Sequence, residues 1–372
     1  MGETVLVAMS GGVDSSVAAW LLCQQGYSCV GVTMKLYQNE TVDRKGHTCC
    51  ALEDVEDARS VARKLGIPYY VFNFSDVFAQ KVLDKFVSSY ARGDTPNPCI
   101  DCNRYLKFGA LLHRARELGI SHIATGHYAR IFQIPENGRL AVGKAVDADR
   151  DQSYVLASMT QQQLRQTLFP LGGLTKPEVR SIAEAQGFCN ARKHDSQDIC
   201  FVPNGDYTGF LEHYTGQLSV PGPIFDQTGQ VLGQHRGAVR YTVGQHKGLS
   251  LSAAEPLYVC AKSMVDNALT VGPEAALYSR ALLSDDWVWG AIDALTGPRR
   301  VTAKIRYRQR ACPATAEPGE DGTVLLRFDS PQRAITPGQA VVLYDGEIVL
   351  GGGTISRVLP PDETDRHPVQ GD

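Results

Sequence analysis

A short apolar run near the N-terminus ends in a loop rich in glycine and serine, and a helical pattern follows. The run is Val5–Met9, the loop Ser10–Ser16 reads SGGVDSS, and apolar residues recur at helical spacing through Val17–Leu22. Such a loop leaves several backbone N–H groups pointing at one place, where the positive end of the helix dipole adds to them. The sequence therefore predicts a strand, an anion-binding loop and a helix in that order. An ordinary turn with a serine cap is the simpler alternative, and the loop fits neither G-x-x-x-x-G-K-[ST] nor G-x-G-x-x-G.

Composition narrows the class of protein. The chain has 372 residues, enough for two or three domains, and 43% of them are hydrophobic and 21% charged, as in soluble globular proteins. No apolar run reaches the length of a membrane span and no signal sequence precedes Val5, so we expect a cytoplasmic protein with no membrane partner.

The net charge of −3 argues against a protein that coats nucleic acid without specificity, but it permits a local basic surface. The ten cysteines are expected to be buried thiols, metal ligands or redox groups rather than structural disulfides.

The first half of the chain alternates between strand-like and helix-like patterns. The predicted strands are Val5–Met9, Cys29–Met34, Tyr69–Phe74 and His122–Thr125. The predicted helices are Val17–Leu22, Leu52–Leu65, Val77–Tyr90, Tyr105–Leu118, Tyr154–Leu168 and Pro177–Gly187, with a hairpin at Gln133–Lys144. This order is typical of a doubly wound parallel sheet, which binds ligands at the carboxyl ends of its strands. From about Pro221 onward, short strands separated by Gly, Pro and Asp-Gly turns predict an antiparallel β domain.

The segment Asp94–Lys107, DTPNPCIDCNRYLK, places two cysteines in C-x-x-C spacing just before a predicted helix. The helix dipole favours the thiolate, which is the form that attacks sulfur or binds metal. Half of a zinc site is the alternative, but no second C-x-x-C or H-x-x-x-H pair accompanies Cys99 and Cys102. A redox or sulfur-handling role is therefore favoured, with Cys200 in Asp195–Phe201 (DSQDICF) as a third candidate thiol. Taken alone, a cysteine such as Cys200 is more often a buried structural residue.

Five motifs occur in an order that resembles one known family. They are Ser10–Ser16, Asn97–Phe108 (NPCIDCN-x-x-x-KF), Thr125–Arg130 (TGHYAR), Arg150–Tyr154 (RDQSY) and Asp195–Phe201. The first resembles the PP-loop, SGGxDS, of the ATP pyrophosphatases. The whole set resembles the tRNA-specific 2-thiouridylases, which replace the C2 oxygen of the wobble uridine in certain tRNAs with sulfur. The resemblance continues into Tyr241–Leu249 and Lys304–Gln309, so it covers nearly the whole chain except the tail.

The resemblance implies a fold in three parts. A doubly wound α/β domain of the PP-loop ATPase type, also called adenine nucleotide alpha hydrolase-like, precedes a small central domain that contacts tRNA and a C-terminal antiparallel β-barrel. We therefore divide the chain into a nucleotide-binding catalytic domain at 1–160 plus 190–205, a central domain at 161–189 plus 206–279, a barrel at 280–360 and a flexible tail at 361–372.

The resemblance also implies a sulfurtransferase and its ligands. ATP with Mg²⁺ adenylates uridine O2 and releases pyrophosphate, and sulfur from a donor protein, a cysteine desulfurase or a sulfur relay protein, then replaces AMP. The matching ATP-binding residues are Ala8, Met9, Ser10, Gly11, Gly12, Val13, Asp14, Ser15, Met34 and Gly126. The matching target-base loop is Asn97, Pro98 and Cys99. The matching tRNA contacts are Arg150, Asp151, Gln152, Arg306 and Tyr307, and the basic pattern described below adds Lys304 and Arg308 to the predicted tRNA-binding residues. For Met34 a plain core position is the alternative.

In that family the cysteine matching Cys200 carries a persulfide, and the one matching Cys102 is the second catalytic cysteine. The resemblance implies a disulfide between Cys102 and Cys200 as sulfur is delivered. Position 99 departs from the pattern, because some members have Asp there, suggested as an acid/base group. The three thiolates Cys99, Cys102 and Cys200 also suit an iron–sulfur cluster with one open iron, which is a rival route to the same product. A second departure is His246, where the family usually has Arg; against an RNA phosphate its charge would depend on pH.

A basic pattern in the C-terminal part predicts an RNA-binding face. If Val301–Arg310 is a strand, its period of two puts Lys304, Arg306, Arg308 and Arg310 on one side. Four like charges in a row repel one another on a bare surface, so they suit a phosphate backbone better than a solvated strand face. Tyr307 would point to the other side.

Two further functions remain open at the level of sequence. One is a PP-loop synthetase that forms an amide from a small adenylated substrate and needs no thiols. The other is a non-enzymatic iron–sulfur or sulfur carrier that senses ATP. The thiolation hypothesis alone requires both the loop at Ser10–Ser15 and the thiols Cys102 and Cys200.

Overall fold

The computed structural model describes residues 2–37, 52–195, 199–202 and 205–360. Its N-terminal part is built on a parallel sheet in the order β3-β2-β1-β4-β7. These strands are β1 (Thr4–Ala8), β2 (Ser28–Lys35), β3 (Tyr69–Asn73), β4 (His122–Ala124) and β7 (Thr167–Leu168). The central strand β1 is buried on both faces, with Val5, Leu6 and Val7 fully inaccessible, as its continuous apolar run requires. The predicted parallel, doubly wound sheet is confirmed.

Helices cover both faces of this sheet. They are α1 (Val13–Gln24), α2 (Leu52–Leu65), α3 (75–92), α4 (98–117), α5 (Gln161–Arg165) and α6 (Lys176–Ala185), and α7 (Tyr207–Thr215) lies beyond them in the chain. Helix α3 consists of Ser75–Phe78, Ala79–Leu83 and Asp84–Arg92, and helix α4 of Pro98–Asp101, Cys102–Ala110 and Leu111–Glu117. The middle part of each has wide π-type turns, which are frequent at functional sites. Single 3₁₀ turns lie at Ser153–Leu156, Ala238–Arg240, Glu274–Leu277 and Glu320–Gly322.

The helix predictions succeeded where apolar spacing was regular and failed where a cap interrupted it. Helix α2 has the predicted bounds Leu52–Leu65. The predicted helix Tyr154–Leu168 is wrong, because Thr160 and Gln163 form a capping box that starts a new short helix, α5, and β7 follows at once. The predicted start at Tyr105 is also wrong: Asn97 caps α4 and Pro98 occupies its first position, where proline is favoured.

Two antiparallel β units follow. The smaller sheet has the order β10-β11-β8-β9, from β8 (Gly222–Phe225), β9 (Val231–His235), β10 (Tyr258–Ser263) and β11 (Ala268–Gly272); its β11–β8 pair is parallel. The larger unit contains β12 (Tyr278–Trp289), β13 (Arg299–Lys304), β14 (Cys312–Pro318), β15 (Val324–Arg333), β16 (Ala340–Asp345) and β17 (Ile348–Leu359). Pairing of β12 with both β15 and β17 closes these six strands into a barrel, so the predicted antiparallel barrel is confirmed.

Parts of the chain that are distant in sequence join across the predicted domains. The predicted hairpin forms from β5 (Arg130–Gln133) and β6 (Leu140–Gly143), and β6 pairs with β17 of the barrel at Gly143 and Ile348. Helix α6 packs on α1, with Val179 and Ala183 fully buried. This segment of 161–189 therefore lies against the nucleotide-binding sheet, although the sequence placed it in the central domain. The division into domains stays a proposal, and the tail at 361–372 lies outside the described residues.

Within the parts of the chain that the structure describes, every helix is too short or too polar to cross a lipid bilayer.

Lys262 on β10 makes the contact between the smaller sheet and α3 sensitive to pH. Its Nζ atom donates to the Tyr241 carbonyl oxygen at 3.1 Å and lies 5.7 Å from the ring centre of Tyr90. Burial lowers the pKa of Lys262 from 10.5 to about 8, against the opposing charge of Asp94. The pKa of Lys262 is lower in the folded than in the unfolded chain. Burying the charged amine therefore lowers the free energy of unfolding by its full amount below pH 8, and this penalty shrinks as the pH rises toward 10.5.

We therefore expect the free energy of unfolding of the wild type to rise, relative to Lys262→Met, by about 1–2 kcal/mol between pH 8 and pH 9.5. Urea unfolding of both proteins at several pH values in this window measures the difference. Unfolding free energies that run parallel for the two proteins would contradict the assignment.

Candidate active site

The glycine- and serine-rich loop joins β1 to α1, as its sequence predicts. Gly12 is the N-cap of α1, and no side chain caps the helix there. The hydroxyl of Ser15 donates to the Gly12 carbonyl oxygen at 3.1 Å and accepts from the Ser10 N–H at 3.1 Å. The amide of Asn190 donates to Gly11 O and to Ser16 Oγ, both at 2.9 Å. The loop is thus fixed from outside, and the positive end of α1 stays available for an anion.

At two positions of the predicted ATP-binding set, other backbone atoms lie so close that only glycine fits. Gly11 has φ +76°, and a Cβ atom there would lie 2.2 Å from the Asp54 carbonyl oxygen. A Cβ atom on Gly126 would lie 2.7 Å from the Ser15 nitrogen and 2.8 Å from the carbonyl carbon of Asp14. The turn after β4 therefore packs directly on the start of α1, which only a residue without a side chain allows.

We expect Gly126→Ala to weaken ATP binding by at least about tenfold, because the methyl group displaces the loop from the geometry that its N–H groups need. Isothermal titration with ATP measures the effect. Gly173→Ala is the matched control, since nothing lies within 4 Å of its added Cβ atom. Equal affinity for ATP in the two variants would show that the turn at Gly126 does not shape the loop.

A cleft of about 1070 Å³ opens at the carboxyl ends of the parallel strands. Its lining includes nine of the ten predicted ATP-binding residues: Ala8, Met9, Ser10, Gly12, Val13, Asp14, Ser15, Met34 and Gly126. His127 also lines it, with Nδ1 at 2.7 Å from the Thr125 hydroxyl. Burial, with the charge of Lys107, holds the pKa of His127 well below its usual range, so the ring is neutral at physiological pH. The cleft has the size and position of a nucleotide site in a sheet of this type.

The opposite wall of the cleft comes from the basic segment of the barrel. The predicted strand Val301–Arg310 is wrong in its second half, because β13 ends at Lys304 and residues 305–309 form a turn. The basic residues therefore do not form the flat strand face that the sequence predicted. They form a rim of the cleft, which is lined by Lys304, Tyr307, Arg308 and Arg310. Arg306 does not, since its guanidinium donates to the Ala334 carbonyl oxygen.

The RDQ stretch contributes to the cleft in different ways. Arg150, Asp151 and Gln152 all line it. The Asp151 carboxylate accepts from Ala145 N, Ser153 N and the Ser153 hydroxyl at 2.8–3.1 Å, and its side chain is only 8% exposed. The Gln152 side-chain oxygen accepts from the Tyr128 N–H at 3.0 Å. Of the three, Arg150 has the most exposed charge, at 41% of its side chain, and can reach a phosphate.

A buried network of charges links the loop to this wall, and sequence reasoning missed it. Lys176, at the start of α6, places Nζ 2.8 Å from Asp14 Oδ1 and 2.7 Å from Asp195 Oδ1. Asp14 also accepts a hydrogen bond from the Tyr128 hydroxyl at 2.8 Å. Burial is the main cause that raises the pKa of Tyr128, and the nearby charge of Asp14 raises it further. A lysine at the first position of a helix opposes the helix dipole, so it needs carboxylate partners. That mismatch at Thr175-Lys176-Pro177 was the available sequence signal.

The candidate thiols occupy two environments. Cys102 is buried in an apolar cluster between α3, α4 and α7, and Cys200 packs against the same cluster, next to Phe201. Cys99 is exposed, in the first turn of α4, where Asn97 Oδ1 accepts from its N–H at 3.2 Å. Because α4 begins at Pro98, the dipole at the helix start acts on Cys99, whereas Cys102 lies in the second turn, contrary to the prediction. Residues 196–198 lie outside the described residues.

The predicted target-base residues lie beside the cleft rather than in its lining. Asn97 lines a separate cavity of about 110 Å³ between α4 and the barrel, and Pro98 is buried. Burial raises the pKa of Tyr307, and electrostatic interactions with Asp151 and Cys99 add to this effect. Cys99 is thus close enough to interact with Tyr307, which lines the large cleft.

The start of α4 is anchored on both sides. Asp101, 6% exposed, accepts from Lys85 Nζ of α3 at 2.7 Å, and burial raises its pKa against the opposing Lys85 charge. Arg104 binds the Asp286 carboxylate of β12 through two hydrogen bonds of 2.6 and 3.1 Å. The Cys99–Cys102 turn is therefore held between the nucleotide-binding sheet and the barrel.

No three His, Cys, Asp or Glu side chains converge as metal ligands within the described part of the chain. The arrangement of Cys99, Cys102 and Cys200 there does not fit an iron–sulfur cluster, because one thiol is at the surface and the other two pack in an apolar cluster.

Comparison with known proteins decides the family. Residues 3–204 match the family model described as tRNA methyl transferase HUP domain, residues 208–273 its PRC-barrel domain and residues 279–355 the aminomethyltransferase beta-barrel domain. The tRNA-specific 2-thiouridylase MnmA of Heliobacterium modesticaldum is 52% identical over 361 residues, which are 96% of this chain and 94% of the relative. That of Symbiobacterium thermophilum is 51% identical over 96% of this chain and 93% of the relative. The chain belongs to the tRNA-specific 2-thiouridylase family.

Membership of the 2-thiouridylase family confirms the predicted resemblance and the expectation of an enzyme of the sulfurtransferase class. Among solved structures, a 4-thiouridine synthetase in complex with RNA and bound ATP aligns with a TM-score of 0.34 and 20% identity. The alignment covers 54% of this chain and 46% of that one.

Proposed function

We propose that this chain catalyses the ATP-dependent 2-thiolation of the wobble uridine of tRNA. The observation that carries the proposal is one cleft with two linings, the anion-binding loop and the basic rim at Lys304–Arg310. The anchored Cys99–Cys102 turn lies beside that rim. ATP fits the loop side and an RNA backbone fits the basic rim. The names of the relatives support tRNA as the nucleic acid and thiouridine as the product.

The first half of the reaction activates a poor leaving group. Uridine O2 attacks the α-phosphorus of ATP, the bond to the β-phosphate oxygen breaks, pyrophosphate leaves and the N3 proton passes to solvent. The N–H groups at the start of α1 and the hydroxyls of Ser10 and Ser15 hold the departing pyrophosphate. Mg²⁺ would neutralise phosphate charge, and Asp14 is the loop carboxylate that would hold it once its bonds to Lys176 rearrange.

The second half transfers sulfur. In the persulfide route the terminal sulfur on Cys200 attacks C2, and AMP leaves with the former O2. The Cys102 thiolate then attacks Sγ of Cys200, which forms the Cys102–Cys200 disulfide and leaves 2-thiouridine after N3 is protonated. Alternatively, Cys102 first releases the persulfide sulfur as sulfide, which attacks C2. Either way a thiol reductant must reduce the disulfide, and a donor protein must reload Cys200. Packing of both cysteines in one cluster supports this pairing.

The rival iron–sulfur route is tested by anaerobic purification with iron and sulfide analysis. The persulfide route predicts full activity without stoichiometric iron. Activity that requires iron would overturn it.

The test of the proposed function uses the purified chain, ATP, a sulfur donor and an unmodified tRNA transcript. We expect slower migration of the transcript in an organomercury gel, which binds thiocarbonyl sulfur, together with release of pyrophosphate. A transcript with cytidine at the wobble position is the control. Migration that does not change with ATP, or changes equally for the control, would refute the proposal.

A further inference from the structure

Asp195 lines the cleft and pairs with three cations. Its carboxylate lies 2.7 Å from Lys176 Nζ, 2.8 Å from an Arg150 guanidinium nitrogen and 3.2 Å from one of Arg180, and its side chain is 18% exposed. Burial works to raise the pKa of Asp195, but Lys176, Arg150 and Arg180 together hold it below its usual range. Asp195 is therefore ionised and held from three sides at neutral pH.

Two of these cations also bond to other groups, and the third lines the cleft. Lys176 Nζ also donates to both oxygens of Asp14 in the loop, at 2.8 and 2.9 Å. Arg180 donates to the carbonyl oxygens of Ala191 and Lys193, at 3.0 and 3.2 Å, and so fixes the chain that leads to Asp195. Arg150 lines the cleft with its exposed guanidinium. Asp195 thus connects the loop and the basic wall through direct ion pairs.

Cys200 follows Asp195 by five residues, and its own position is fixed on the other side. The hydroxyl of Tyr37, just past β2, donates to the Cys200 carbonyl oxygen at 3.4 Å. Phe201, 1% exposed, stacks edge to face with Phe78 and Phe86 of α3. Asp195 is therefore held by charge, and Cys200 and Phe201 are held by a hydrogen bond and by aromatic packing.

We propose that Asp195 is a positioning residue for Cys200, five residues further along the chain, and that it acts through Lys176, which bridges it to Asp14 of the nucleotide loop. Its charge sets where the sulfur-bearing residue stands relative to an adenylate formed at Ser10–Ser15. The inference rests on the proposed function. The ion pairs of Asp195 go to Lys176, Arg150 and Arg180, whereas the loop backbone is held by Asn190 and Ser15, so loss of the Asp195 charge acts on sulfur transfer more than on adenylation.

The test separates the two half-reactions in Asp195→Asn, which keeps the shape of the side chain and removes its charge. With [α-³²P]ATP and an unmodified transcript, label bound to RNA measures adenylation, and an organomercury gel measures thiolation. We expect the rate of thiolation to fall at least about tenfold while adenylation stays within about threefold of the wild type, so that adenylated RNA accumulates. Asp195→Glu, which keeps the charge, is expected to recover part of the thiolation rate.

The matched control is Asp329→Asn, since Asp329 pairs with Arg300 at 2.7 Å on the barrel, away from the cleft. Proportional loss of both half-reactions in Asp195→Asn, or loss of neither, overturns the inference. If Asp195→Asn does not fold, Asp195→Ser, which also removes the charge, decides: accumulation of adenylated RNA supports the inference, and its absence overturns it. A wild type that forms no thiouridine refutes the proposed function itself, so the two failures are distinguishable.

Discussion

Replacing either Cys102 or Cys200 by serine is expected to lower 2-thiouridine formation by at least about a thousandfold, because removal of a reacting nucleophile commonly costs that much or more. A hydroxyl cannot carry a sulfane sulfur or attack a disulfide. Neither cysteine lines the cleft around Ser10–Ser15, so adenylation of the transcript is expected to continue. Quantitative mass spectrometry of nucleosides from the treated transcript measures the product, and bound [α-³²P]AMP measures adenylation.

Two controls interpret the loss in the cysteine variants. Cys260→Ser changes a half-buried thiol on β10, outside the cleft, and is expected to keep wild-type activity. Cys99→Ser separates the routes, because the persulfide route needs two thiols and the three-cysteine cluster needs a third. We expect Cys99→Ser to retain at least about a tenth of the activity. Activity lost in all three variants at Cys99, Cys102 and Cys200 would contradict the persulfide route.

Lys176→Met is expected to impair both folding and adenylation. The lysine side chain is 7% exposed and pairs with Asp14 and Asp195, so its removal leaves two carboxylates close together without their shared cation. Breaking a buried pair in this way costs about 3–5 kcal/mol of the free energy of unfolding. Asp14 lies in the loop itself, so we also expect pyrophosphate release to fall by at least about a hundredfold.

Denaturant unfolding and a pyrophosphate-release assay check these two effects. Arg299→Met is the control, because Arg299 pairs with Asp345 at 2.9 Å on the barrel, outside the cleft, and exposed pairs of this kind contribute about 1 kcal/mol or less. Stability and pyrophosphate release in Lys176→Met that equal those of the control would show that the buried bridge does not support the loop.

The sequence predicted the elements that residues close together in the chain are enough to specify. The loop Ser10–Ser16 follows from glycine and serine at a strand-to-helix junction, and helix Leu52–Leu65 follows from regular apolar spacing. The motifs predicted which distant positions belong to one site, and the cleft contains nine of the ten predicted ATP-binding residues. Local pattern and tertiary structure agree at these places.

The failures arise where long-range contacts override a local pattern. Period-two charges in Val301–Arg310 imitate a strand, but Gln309 bonds to Ile305 N at 3.3 Å and to the Gln332 side chain at 2.8 Å, and the chain turns there. Lys176 was missed because its partners Asp14 and Asp195 are 162 residues before it and 19 after it; only folding brings them together. Such pairings leave no periodicity in the sequence.

The most direct measurement of the central claim follows the oxygen that is replaced. A transcript carrying ¹⁸O at C2 of the wobble uridine is incubated with the enzyme, ATP and a sulfur donor, and the nucleotide products are analysed by mass spectrometry. If O2 attacks the α-phosphorus in the cleft at Ser10–Ser15, each thiouridine formed releases one AMP that carries the ¹⁸O atom, and pyrophosphate stays unlabelled. Label in phosphate, pyrophosphate or water, with unlabelled AMP, would contradict activation by adenylation.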